Sequence, residues 1–267
     1  MGLPDPQAID IIHAAIDHGV TYLDTAPGYG RAQIQLGEVL PDRRDEVFLV
    51  TKTLTETAEK ALEILENSLR ELKTDQVDLT YVHSVGSLDV DAVLAPDGAL
   101  AGLREAQRRG WTRYISLTAH GRPDRACRIL KEEDLDAVMF ALNYADRHTY
   151  NFQTTPLDLP SAQNAGIAAM KVFGGAPDMK YETPARSLMH RSGVHDHSKA
   201  LHYALSLPGV SIAVVGMFSV EEVAENVGYA RSFELMDAPS LDAIEEEGRE
   251  LAEKWKDHFG PVDESDA

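Results

Sequence analysis

Short runs of β-branched and aliphatic residues alternate along the chain with longer stretches of helical period. Thr21 to Asp24, Val47 to Thr51, Val77 to Val82, Thr112 to Leu117, Ala137 to Leu142, Ile167 to Val172 and Ser211 to Val215 read as strands. They are apolar on both faces, which suits a buried parallel sheet. Helical spacing appears in Ile9, Ile12, Ala15 and Ile16, within a first helix from about Gln7 to His18. It returns in Ala58, Leu62, Leu65, Leu69 and Leu72, with Lys60, Glu63, Asn67 and Arg70 on the wet side. Leu103 to Arg109 ends at Gly110, a helix-terminating glycine. Pro123 to Lys131, Ser198 to Leu207 and Val220 to Ala230 complete the set.

Strand and helix alternate with no break in composition, which predicts one α/β domain over residues 1–267. A helix precedes the first strand, and each of the seven strands is followed by one. That count resembles an eight-stranded α/β barrel whose strand one is missing or truncated. A doubly wound open sheet is the other option. It would usually carry a glycine-rich phosphate loop, and no G-x-G-x-x-G occurs in the chain. The acidic end, from about 258 to 267, reads as a frayed tail.

Composition narrows the class. With 43% hydrophobic and 26% charged residues, the chain has globular values. One cysteine, Cys127, excludes an intrachain disulfide and a four-cysteine metal site. Acids outnumber Lys and Arg by 44 to 25, for a formal charge of −19. Such a surface repels phosphate backbones and anionic membranes, so neither nucleic acid nor membrane is an expected partner. The first twenty residues lack a basic start and a long apolar run, so the expected location is cytoplasmic. His190, His195, His197 and His202 cluster in sequence but lack a convincing ligand spacing, and no metal is expected.

In a barrel, chemistry sits at the C-terminal ends of the strands. Those ends deliver Asp24 followed by Tyr29, then Lys52, His83, Thr118 with His120, Asn143, and Lys171. An acid, a phenol, an amine and an imidazole at neighbouring strand ends make a proton-transfer set. An ammonium beside a phenol favours the phenolate, a carboxylate holds the ammonium charged, and an imidazole can orient a carbonyl oxygen. Each residue alone has a plainer explanation. Asp24-Thr25-Ala26 could cap a helix, Tyr29 could pack a rim, and His83 could be structural. Lys52 alone would also suit a Schiff-base aldolase.

Asp24-Thr25-Ala26 with Tyr29-Gly30, Val50-Thr51-Lys52, and Asp78-Leu79 leading to His83 resemble the aldo-keto reductase family in its divergent bacterial form. Val214-Val215-Gly216-Met217 with Glu225-Asn226 resembles that family's cofactor end. The resemblance runs from the first helix to about Ser240. It implies a (β/α)8 TIM-type barrel reducing an aldehyde or ketone to an alcohol with NADP or NAD. Tyr29 would be the general acid, Lys52 paired with Asp24 would activate it, and His83 would position a small-molecule carbonyl. Thr118, Asn143, Lys171, Gly216, Met217, Glu225 and Asn226 would line the cofactor. Two other readings stay open: a catalytically weak, nucleotide-binding regulatory relative, and a lysine-dependent aldolase.

Departures from the family concentrate on the cofactor. Its serine at the fifth strand end is Thr118, which keeps the hydroxyl, and the next position, often asparagine, is Ala119. A common glutamine falls at Met139, and the residue that stacks on the nicotinamide falls at Lys171. After Tyr29, the common serine-glutamate pair reads Ala32-Gln33. At the 2′-phosphate site a lysine-serine pair falls at Gly216-Met217, and an arginine at Glu222. The family also opens with a hairpin and a strand that have no counterpart before the first helix. Because all four catalytic-type residues are kept, the expectation is a start site further upstream, with a natural seven-stranded relative as the other option.

Overall fold

The computed structural model describes residues 3–176 and 187–263. In chain order the elements are α1 (Asp5–Asp17), β1 (Tyr22–Asp24), α2 (Ala32–Arg43), β2 (Phe48–Thr53), α3 (Ala58–Leu72), β3 (Val77–Val82), α4 (Val90–Leu94), α5 (Ala99–Arg108) and β4 (Thr112–Ala119). They continue with α6 (Pro123–Glu132), β5 (Ala137–Ala141), α7 (Thr155–Ala162), β6 (Gly166–Met170), α8 (Leu188–Arg191), α9 (His197–Ser206), β7 (Val210–Ala213), α10 (Val220–Arg231) and α11 (Ala238–Trp255). All seven expected strands form, within two residues of their predicted ends. The chain divides into two compact units, Met1–Thr118 with Met217–Val227, and Ala119–Gly216 with Gly228–Ala267.

In the first unit, β1, β2, β3 and β4 pair in sequence order, all parallel. Side chains alternate across the strands. Asp24 lies opposite Val50, and Lys52 opposite Tyr81, so Asp24, Lys52 and Tyr81 share one face. On that face Tyr22, Phe48 and Tyr114 stack, with centroids 5.5 and 6.3 Å apart. The opposite face packs on helices, with Leu36, Leu40, Leu49, Leu65 and Leu72 in one buried cluster. The helix α5 ends as its sequence predicts. Gly110 has φ +76°, its N–H bonds the Gln107 carbonyl, and Trp111 N–H reaches back to Ala106. That is a Schellman ending, which needs a residue free to adopt positive φ.

Several helices fall outside the sequence prediction. In α2, buried Gln33 and Gln35 interrupt the apolar stripe, and Pro41 lies within the helix. Both glutamines are satisfied. Gln33 accepts from Thr51 Oγ1 at 2.7 Å and donates to Glu71, and Gln35 donates to the Leu3 carbonyl and Asp5. Gly37 lets α2 meet α3 closely, because a Cβ there would stand 2.1 Å from the Glu71 carbonyl oxygen. Overpacking of this kind costs about 1–3 kcal/mol. Gly37→Ala is therefore expected to lower the urea midpoint with an unchanged slope, measured by circular dichroism.

In the second unit, β5, β6 and β7 are again parallel and in sequence order. The helix α11 buries Ile244, Gly248, Leu251 and Trp255, a stripe that its many acids obscure in the sequence. The tail expected to fray from 258 is instead anchored at its start. His258 Nε2 lies 2.8 Å from the Asp146 carboxylate, and Phe259 N–H donates to the Tyr150 hydroxyl at 2.7 Å. Residues 264–267 of that expected tail lie outside the described residues. Among the described residues, no helix is long and apolar enough to cross a membrane. No group of three or more His, Cys, Asp or Glu among them is placed to hold a metal ion.

Candidate active site

Asp24 closes β1, and its carboxylate meets the Lys52 ammonium. Lys52 lies inside β2, which runs on to Thr53, and its side chain is 1% exposed. Its ammonium donates to both Asp24 oxygens, at 2.7 and 2.6 Å, and to the Thr25 carbonyl at 2.9 Å. An ammonium has three N–H donors, so all three are accounted for. Burial pulls the Lys52 pKa below the ordinary lysine value, and the charge and hydrogen bonds of Asp24 oppose that pull. The pair is a buried charge held by its partner, the condition under which such a charge is tolerated.

Tyr29 stands in the turn after β1, where its N–H bonds the Ala26 carbonyl and Gly30 follows at φ +63°. The Lys52 nitrogen lies 4.8 Å from the Tyr29 ring centroid. His83, immediately after β3, donates its backbone N–H to the Thr53 carbonyl. Its ring meets the Tyr29 ring edge-on at 6.1 Å, an interplanar angle of 82°. Three successive strand ends thus bring Asp24, Lys52, Tyr29 and His83 together within the first unit.

Two of the other phenols on this face are bonded to each other. The Tyr22 and Tyr81 hydroxyls are 2.7 Å apart, and Tyr81 is fully buried. Burial pushes both phenols above the ordinary tyrosine value, and the charge of Asp24 adds to it. They are held neutral and bonded to one another. Tyr29, by contrast, is half-buried, with the Lys52 ammonium beside its ring.

The remaining expected site residues are spread over both units. In the first, Thr118 is buried in β4 and its hydroxyl accepts the Ser84 N–H at 2.8 Å. Met217 packs against the cluster of Ile11, Ala15 and Val223. Glu225 and Asn226 lie on α10, where Asn226 donates to the Glu222 carbonyl at 2.8 Å. In the second unit, Gly216 follows β7, and Lys171 follows β6 with φ +55°. Asn143 follows β5 with its amide fully engaged. Its oxygen accepts from Ala145 and Asp146 N–H, and its nitrogen donates to Asp146 and the Lys171 carbonyl. At the start of α10, Glu222 N–H bonds Ser219 Oγ, and its carboxylate accepts the Phe218 N–H at 2.7 Å. That arrangement is close to a capping box, signalled by Ser-x-x-Glu in the sequence.

Comparison with known proteins places the chain. The model of the aldo/keto reductase family matches residues 2–246, and the chain belongs to that family. The oxidoreductase YqkF of Bacillus subtilis, itself uncharacterized, is 25% identical over 268 residues, covering 87% of this chain and 85% of that protein. Among solved structures, the holo form of aldo-keto reductase AKR11C1 from Bacillus halodurans superposes with TM-score 0.74 at 21% identity, covering 92% of this chain and 88% of its own. An aldo-keto reductase from Klebsiella pneumoniae in complex with NADPH superposes with TM-score 0.72 at 20% identity, covering 92% of this chain and 86% of its own. The fold is accordingly of the (β/α)8 class of this family.

Proposed function

We propose that this protein is a nicotinamide-dependent reductase of aldehydes or ketones, with Tyr29 as general acid. The observation that carries the reading is the Asp24–Lys52 pair with its ammonium 4.8 Å from the Tyr29 ring. Family membership supports the reaction class. The four residues form the proton-donating half of a carbonyl reduction, so the chemistry of the set fits a hydride-donating cofactor. NADH or NADPH, when bound, supplies that hydride. Tyr29 gives its proton to the carbonyl oxygen. Lys52 stabilises the phenolate left behind, Asp24 fixes Lys52, and His83 orients the carbonyl beside Tyr29. Within the first unit, Thr118, Met217, Glu225 and Asn226 are the candidate cofactor contacts, Thr118 through its hydroxyl.

The lysine-dependent aldolase is the weaker reading. A Schiff base needs a free amine lone pair. The Lys52 nitrogen instead donates to three oxygens and is fully buried. A carbonyl panel assayed by cofactor oxidation tests the reductase reading. Turnover of an aldehyde or ketone supports it. Tight dinucleotide binding without turnover would replace it with the regulatory reading, and borohydride trapping on Lys52 with the aldolase.

Cofactor choice follows from Glu222. By the family resemblance this position faces the 2′-phosphate, and here it presents a carboxylate already bonded to the Phe218 N–H. A phosphate beside it would be repelled. The expected result of fluorescence titration is that NADH binds at least as tightly as NADPH. A hundredfold preference for NADPH, about 2.8 kcal/mol, would overturn that expectation.

A further inference from the structure

The turn after β5 holds a buried polar centre that the reaction does not use. Asp146 is 1% exposed, and both of its carboxylate oxygens are occupied. One accepts from the Asn143 amide at 2.6 Å, the other faces His258 Nε2 at 2.8 Å. The second ring nitrogen of His258 is buried without a hydrogen-bond partner. That is the environment of a ring carrying its proton on Nε2 and donating it to Asp146. Asn143 in turn spends its amide on four partners: the N–H groups of Ala145 and Asp146, the Asp146 carboxylate and the Lys171 carbonyl. An amide can donate twice and accept twice, so no position is left for a ligand.

The C-terminal segment is built into the same centre. The Tyr150 hydroxyl accepts from Phe259 N–H and donates to the Gly260 carbonyl at 3.0 Å. Small residues clear its path. A Cβ on Gly121 would stand 3.2 Å from the Pro261 carbonyl oxygen, and one on Gly174 would stand 2.5 Å from the Trp255 ring.

We propose that Asn143, Asp146 and His258 form a latch that fastens the C-terminal segment to the ends of β5 and β6, with Asn143 a positioning hub and not a cofactor contact. The latch couples order at the start of the segment to order in the β5 turn through His258 and not through Tyr150. The inference does not depend on the reductase reading, because its test reads no activity.

The test is amide hydrogen exchange resolved to single residues, on the full chain and three variants. His258→Leu deletes the donor, and His258→Gln returns an N–H at the position of Nε2. Tyr150→Phe frees Phe259 and Gly260 but leaves Asp146 paired. In His258→Leu the amides of Phe259, Ala145 and Asp146 are expected to exchange about tenfold faster together, as the loss of one charge-assisted hydrogen bond requires. His258→Gln is expected to restore most of the protection. Tyr150→Phe is expected to expose Phe259 alone. The proposal is overturned if Ala145 and Asp146 stay protected in His258→Leu, or if the glutamine variant matches the leucine one. Should His258→Leu not fold, a Tyr150→Phe chain that loosens Ala145 as much as Phe259 would overturn it equally.

Discussion

Tyr29→Phe is expected to lower the rate of carbonyl reduction by roughly 10² to 10⁴-fold while cofactor affinity stays within about twofold. The substitution removes one oxygen and its proton. The ring stays beside Lys52 and edge-on to His83, so both contacts of the aromatic body survive. Neither Tyr22 nor Tyr81 is expected to substitute, because burial raises both phenols' pKa values, which weakens them as proton donors, and they are bonded to each other. Steady-state kinetics with a reducible aldehyde, beside a cofactor titration, reads the result. Full activity in the variant would remove Tyr29 from the mechanism.

Lys52→Met is expected to be as damaging to the rate and also harmful to the fold. The phenolate left by proton donation loses its cation. Asp24, only 10% exposed, keeps a carboxylate with no ammonium to meet it. Breaking one partner of a buried pair costs about 3–5 kcal/mol, so the melting temperature should fall by many degrees. Removing both charges separates the two effects. Asp24→Leu combined with Lys52→Met should recover much of the stability, since a packed apolar pair is often neutral or better. Activity should stay lost. If the double variant recovers both, the pair serves only the fold.

The four residues proposed to handle the proton are legible in the sequence because acid, phenol, amine and imidazole fall in that order at or just after three short strand-like runs. The strands themselves are readable because burial on both faces writes several of them as unbroken apolar runs such as Ala137 to Leu142. What escapes reading is whatever depends on distant partners. The buried glutamines of α2 look like surface residues until Thr51 and Glu71 are beside Gln33. Pro156 and Pro160 hide α7, and the acids of α11 mask its Ile244, Leu251 and Trp255 stripe. His258 reads as part of a loose acidic end, because nothing nearby in sequence announces Asp146 as its partner. Asn143 reads as a ligand contact by resemblance, and nothing in the sequence shows that three of its four bonds close its own turn while the fourth reaches the Lys171 carbonyl.

The four side chains proposed to handle the proton lie between Asp24 and His83, at the first three strand ends. The set is therefore inherited as a single contiguous stretch of gene. A chimera that exchanges this stretch with that of a relative would transplant the whole acid apparatus at one crossover on each side. Segments after β4 could be recombined or randomised to search for new carbonyl preferences without rebuilding the proton donor. The descent of such a lineage would then show slow change before Ser84 and freer change in the loops beyond.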